Sequence, residues 1–360
     1  MNLIYFKIII FTIFLSAFFT FIVRKLALRF NIVDRPNAER KLHQGEIPFL
    51  GGVAIFLAFF IMLYFFRDYL LQGNLEPRHW LGFFAGAGFL MIGGILDDKY
   101  NLPAKYQLIF PILASLCVVA GGVEIVKITN PFGGYFDMND LRIPVLFFGG
   151  AWHYFVIVSD VLIVLWLMGM MYTTKLLDGV DGLVTGVTGI GGLIVFLFTI
   201  SDKYYQPDIA LAALVFTGAC LGFLIFNWNP AKIFLGEGGS LLLGFILGVL
   251  AIISGGKIAI ALLVMAIPIM DVIWIIVRRL REGKNPFKYS DRKHLHFRLQ
   301  DLGLSIKQTA LVYYAFAGIF GLSALFLQSR GKVIMLGVLV LIMLGMVIGF
   351  SYIDKNKNIK

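Results

Sequence analysis

The sequence predicts an all-α polytopic membrane protein with about eleven transmembrane helices and a small external β-hairpin. Three observations lead there. Of 360 residues, 59% are hydrophobic and 14% charged, whereas a soluble domain carries roughly a quarter charged residues. The apolar residues come in runs whose lengths approach those needed to span about 30 Å of hydrocarbon. The charges gather in the short segments between the runs. One integrated membrane domain over 1–360 follows, because no composition break marks off a soluble module.

In chain order the runs lie at about 3–23, 49–66, 79–96, 106–121, 156–174, 183–200, 208–226, 239–254, 257–277, 309–327 and 332–352. The first lacks a basic leader and a small-residue cleavage site, so it reads as a retained helix rather than a signal peptide. The runs ending at 254 and starting at 257 are parted only by Gly255-Gly256. Most of the 31 Lys and Arg residues sit in alternate connections, at about 24–48, 97–105, 174–182, 227–238 and 278–308, and in the tail. The positive-inside rule makes these cytoplasmic in a bacterial inner (plasma) membrane, with the N-terminus outside and the C-terminus inside. Residues 122–155 form the longest outward segment. Within it, 125–129 followed by Asn130-Pro131-Phe132-Gly133-Gly134 reads as strand, turn and strand, which is the expected external hairpin.

The net charge is +10. No basic motif interleaved with aromatics accompanies it, so nucleic acid is excluded as a partner and membrane orientation and phospholipid contact account for the charge. Cys117 and Cys220 lie inside apolar runs and read as small buried hydrophobes, without disulfide framework or zinc spacing.

Chemistry is expected where acids meet glycines at helix ends. Asp97-Asp98, Asp178-Gly179-Val180-Asp181-Gly182 and Phe234-Leu235-Gly236-Glu237-Gly238-Gly239-Ser240 all fall on the cytoplasmic face. Acids converging there repel each other unless a cation joins them. Hard oxygen ligands beside a phosphate suit Mg²⁺, with Mn²⁺ as an alternative ion. Glycines ahead of a helix free backbone N–H groups for an anion. The loop 278–308 is the most basic. Its Ser290-Asp291-Arg292-Lys293-His294-Leu295-His296-Phe297-Arg298 lacks metal-ligand spacing and fits anion recognition by His and Arg. Asp271, inside an apolar helix, reads as an orienting group for Arg278, Arg279 or an amide freed by Pro268. His43 reads as structural or solvated, and His79 and His153 carry no assigned role.

Taken together and in this order, these residues resemble the polyprenyl-phosphate N-acetylhexosamine-1-phosphate transferases (glycosyltransferase family 4, WecA/TagO-like and MraY-related). The resemblance rests also on Pro48 to Gly52, Asn227-Trp228-Asn229-Pro230-Ala231 and His294-Leu295-His296, and it spans nearly the whole chain. It implies a Mg²⁺-dependent enzyme that moves N-acetylhexosamine 1-phosphate, GlcNAc-1-phosphate first among the candidates, from a UDP-sugar to undecaprenyl or another polyprenyl phosphate. UMP would leave and a cell-surface glycan would begin. Residue by residue, it implies that Asp97 and Asp98 bind and activate the lipid phosphate, with Asp97 as base. Asp178 and Asp181 would line the nucleotide and diphosphate site. Asn227 and Phe234 would contact uridine, Glu237 with Asp98 would hold the metal, and His294, His296 and Arg298 would sense sugar and diphosphate. Two positions depart from the pattern: Glu237 stands where the family usually has Asp, and Lys175, beside the substrate, where it usually has Asn. Gln44 and Asn101 stand where some relatives carry Lys. A catalytically weakened homologue with another sugar preference is therefore an alternative. A transporter is a further one, though it predicts mid-bilayer acids and inverted repeats. The oligomeric state is left open, a homodimer among the options.

Overall fold

The structure, a computed structural model, describes residues 3–35, 45–73, 75–130, 132–138, 141–148, 151–255, 258–283 and 293–357. His43 and Gln44, and residues 284–292 of the basic loop, lie outside these residues. Fifteen helices follow in order: α1 Leu3–Arg29, α2 Gly51–Phe65, α3 Arg67–Leu70, α4 Pro77–Tyr100, α5 Ala104–Gln107, α6 Ile109–Ala120, α7 Ile157–Leu177, α8 Leu183–Thr199, α9 Pro207–Asn227, α10 Glu237–Ile253, α11 Ile258–Val264, α12 Ala266–Arg281, α13 Leu295–Asp301, α14 Ile306–Phe326 and α15 Ser329–Lys357.

Each expected apolar run is helical. Six helices (α1, α4, α7, α9, α14 and α15) have the length and apolarity to cross a membrane, and α11 with α12 makes a seventh if that pair is one span. The pair is bent by 77°, so the run at 257–277 is a broken helix rather than a straight one. Helix α2, the stretch Ala104–Ala120, α8 and α10 are shorter apolar helices.

Helix α1 shows why this is a membrane fold. Its inward face is Ile8, Thr12, Ser16, Thr20, Val23 and Ala27, at spacings of three and four that keep one stripe facing inward. Its outward face carries Phe6, Phe11, Phe14, Phe18 and Phe21. A water-soluble helix would invert this arrangement, but lipid rewards large apolar groups outside and small residues between helices. The partner is α9, where Cβ atoms at Gly218 and Gly222 would strike Thr12 and Ser16, and the Ser16 hydroxyl donates to the Ala219 carbonyl at 2.6 Å. Helices α8, α9 and α10 form the interior: 78% of the α9 span is buried, against 17% for α15.

Three two-stranded antiparallel sheets complete the fold. Strand β1 (Val33–Asp34) pairs with β2 (Ile47–Pro48) just before α2. Strand β3 (Lys127–Thr129) pairs with β4 (Tyr135–Asp137), with Ile128 opposite Phe136, so the hairpin falls where the Asn-Pro-Phe-Gly-Gly turn placed it. The same segment holds a second hairpin, of β5 (Arg142–Phe148) and β6 (Ala151–Val156). The reading of one hairpin in 122–155 is thus corrected to two. The second was hidden because its residues, apart from Arg142 and His153, are mostly apolar and show no alternation.

Candidate active site

Backbone contacts between glycines set the geometry of one end of the bundle. A Cβ on Gly52 would collide with the backbone of Gly239, and one on Gly94 with that of Gly238. Helices α2, α4 and α10 therefore meet at main-chain distance. A short ladder reinforces this: Phe234 donates to Pro48, Gly51 to Phe234 and Gly52 to Leu235, each at 2.9 Å. The result carries Asp98, near the end of α4, to the first turn of α10. There its Oδ1 accepts the Glu237 N–H at 2.9 Å. A carboxylate on an orphan amide at a helix start gains both the hydrogen bond and the dipole. Gly236, at φ 77°, turns the chain into α10, and any Cβ there would strike Asp98 Oδ2.

Asp97 is 7% exposed. Its Oδ1 accepts from the Leu102 N–H at 2.8 Å and from Gln107 Nε2 at 3.1 Å. Gln107 Oε1 in turn accepts from Lys175 Nζ at 3.0 Å, and Lys175 Nζ lies 2.6 Å from Glu237 Oε2. One continuous network thus joins Asp97 to Glu237 through a glutamine that sequence reading passed over. An uncharged amide carries no signal until its neighbours are known.

Asp178 is the residue that ends α7 and is exposed at the mouth of this group. Asp181 Oδ2 accepts from Asn229 Nδ2 at 2.8 Å and from the Ala231 N–H at 3.0 Å, which ties the loop before α8 to the loop after α9. Asn227 is 4% exposed, its Oδ1 accepts from the Gly182 N–H and the Thr185 hydroxyl, and its Nδ2 donates to the Ile233 carbonyl, so it braces the loop before α8 against the loop after α9. Phe234 is half-buried beside Phe49, ring centres 6.2 Å apart and tilted by 44°.

The histidines form a separate knot. His294 Nδ1 lies 2.9 Å from Asp271 Oδ2, and the Leu295 N–H donates to Asp271 Oδ1 at 2.9 Å. Asp271 therefore orients the start of α13, a partnership that chain distance concealed. His296 stacks on His294, 5.3 Å between centres and 11° between planes. It is 1% exposed, and both ring nitrogens are buried without a hydrogen-bond partner among the described residues. A Cβ on Gly179 would lie 2.8 Å from its Nε2, so the imidazole sits against the loop between the two acids. Burial, reinforced by His294, pushes its pKa down to about 3. Asp271, His294 and His296 have donor atoms within 4.8 Å of one another, but both Asp271 oxygens already accept hydrogen bonds. Arg298 places its guanidinium over the Phe350 ring of α15 at 5.3 Å and lines a pocket with Asp271.

The structure thus brings together Asp97, Asp98, Lys175, Asp178, Asp181 and Glu237 and places His296 against their loop. Asp98 Oδ2, both Glu237 oxygens and both Asp178 oxygens accept no hydrogen bond among the described residues, and Glu237 Oε2 is held by its ion pair alone. Lys175 is the one cation there in ion-pair contact with any of these acids. Several hard oxygens facing each other with a single ammonium among them form a donor set that suits Mg²⁺.

Fold and site together define a multi-pass membrane protein with a cluster of carboxylates at one end of its helix bundle. Residues 80–255 match the family "Glycosyl transferase family 4". A Bacillus subtilis (strain 168) protein named "Probable undecaprenyl-phosphate N-acetylglucosaminyl 1-phosphate transferase" is 31% identical over 315 residues, covering 86% of this chain and 80% of its own. The "Decaprenyl-phosphate N-acetylglucosaminephosphotransferase" of Mycolicibacterium smegmatis is 28% identical over 358 residues, 91% of this chain and 84% of its own. The "Undecaprenyl-phosphate alpha-N-acetylglucosaminyl 1-phosphate transferase" of Escherichia coli (strain K12) is 28% identical over 319 residues, 86% and 80% of the two chains. The chain belongs to glycosyl transferase family 4.

Proposed function

We propose that this protein transfers N-acetylglucosamine 1-phosphate from UDP-GlcNAc to undecaprenyl or another polyprenyl phosphate, releasing UMP, at the cytoplasmic face of a bacterial plasma membrane. Its N-terminus lies outside, and the product starts a cell-surface glycan. The observation that carries the reading is the meeting of Asp97, Asp98, Asp178 and Glu237 around one ammonium, in a family whose relatives bear polyprenyl-phosphate transferase names.

The lipid phosphate oxygen attacks the sugar-bearing phosphorus of the donor. The bond from that phosphorus to the bridging oxygen breaks, and UMP departs with the electron pair. Asp97 helps keep the attacking oxygen deprotonated through Oδ2, since Oδ1 is engaged by Leu102 and Gln107. Asp98, Glu237 and Asp178 would hold Mg²⁺, which when bound neutralises charge on the transferring and leaving phosphates. Phe234 offers a face for the uracil. Asp271 keeps the His294 imidazole oriented, and His296, neutral at physiological pH, offers an N–H to a phosphate or sugar oxygen.

The test is UMP release by detergent-purified protein given undecaprenyl phosphate and a panel of UDP-sugars. Release is expected with UDP-GlcNAc and Mg²⁺ and is lost on chelation. Asp98→Asn should lower it about 1000-fold, the scale of removing a preorganised charge, while an unchanged melting temperature certifies the fold. Full release by that variant would overturn the assignment. Nucleotide binding without turnover in the unaltered protein would favour a weakened homologue.

A further inference from the structure

Lys175 is the feature that the reading above uses least. Its ammonium stands inside a group of acids, in the last turn of α7, where a cation complements the helix dipole. An ammonium carries three donors. Gln107 accepts one at 3.0 Å, while the Glu237 carboxylate lies 2.6 Å from the ammonium as an ion pair without a hydrogen bond, so donors remain for a ligand. The pair is not sealed: the side chains of Lys175 and Glu237 are 19% and 40% exposed, so an arriving ligand reaches both. The stem of four methylenes lets the charge move without moving the helix.

A diphosphate approaching Asp97, Asp98, Asp178, Asp181 and Glu237 meets like charge on every side. Among the described residues the one positive charge in ion-pair contact with that wall is on Lys175. The same charge competes with any divalent ion for Glu237.

Resting on the proposed donor, we infer that Lys175 is a tethered counter-ion of the diphosphate site. It pairs with Glu237 while the nucleotide is absent and gives a donor that Gln107 does not use to a phosphate oxygen when the nucleotide enters. The UDP-sugar therefore binds in the absence of divalent ions, and the metal at Glu237 is held more loosely than the acids alone would hold it. The two consequences have opposite signs, which separates this role from mere structural support.

Calorimetric titration of UDP-GlcNAc into the detergent-purified protein in EDTA, and of Mn²⁺ followed by electron paramagnetic resonance without nucleotide, read the two effects. Lys175→Met is expected to weaken metal-free nucleotide binding about tenfold and to tighten Mn²⁺ about tenfold, the scale of one partly screened charge at contact distance. Lys175→Arg, which keeps the charge, should restore both values to within about threefold. A Lys175→Met protein that leaves both affinities unchanged, or weakens both together, overturns the inference. So does a native protein that binds the nucleotide with Mg²⁺ and not at all in EDTA, and that result leaves the proposed function standing. Absence of binding in either condition overturns both readings.

Discussion

Two groups of polar side chains, one buried and one partly exposed, lie next to each other and are balanced in different ways. In the histidine knot, both Asp271 oxygens accept hydrogen bonds from His294 and Leu295, and the rings stack. In the acid group, Asp98, Asp178 and Glu237 keep oxygens without donors, and one ammonium faces several carboxylates. A closed group holds geometry, while an open one demands a ligand. The protein places the closed group against the open one through a contact that only glycine permits, at Gly179.

The largest effect on this comparison should come from opening the closed group. Asp271→Asn keeps the shape but removes the charge that orients His294. Turnover should fall by 10–100-fold, the usual cost of losing a carboxylate behind a functional imidazole, while UDP-GlcNAc affinity changes less. A loss confined to affinity, measured by calorimetry, would show that the knot serves binding and not orientation.

The next effect concerns the support beneath the open group. Gly94→Ala forces α4 from α10 at the Gly238 backbone and should destabilise by about 1–3 kcal/mol through overpacking. Gly88→Ala, on the same helix with nothing within 4 Å of its Cβ, should stay within about 0.5 kcal/mol of the parent. Equal melting temperatures for the two variants would refute close glycine packing.

The smallest is a pH effect. His296 titrates near 3 in the folded protein and near 6.5 unfolded. Between those values the unfolded chain binds the extra proton, so stability is complete above about 6.5 and is lost as pH falls, by up to about 1.4 kcal/mol per unit. His296→Phe should flatten the melting temperature measured from pH 7 down to pH 5. An unchanged slope would place the titrating group elsewhere.

The loops that carry Asp97, Asp178 and Glu237 were legible in sequence because charge between apolar runs has few explanations. Gln107 and Asp271 were not, since their meaning lies in partners 68 residues away for Gln107 and 23 for Asp271. The bracing bonds of Asn227 were hidden for the same reason: an amide looks identical whether it meets a ligand or three backbone and side-chain groups. The second hairpin, β5 and β6, was missed because its mostly apolar residues show no period to read.

By itself the sequence determined the membrane class, the helical runs and the acids set at their ends, because hydrophobic length and charge placement are local properties. Tertiary structure alone decided that Lys175 faces Glu237, that Asp271 holds His294 and that 257–277 breaks in the middle. Those outcomes depend on how closely helices approach, and the approach is set by glycines whose partners lie far along the chain.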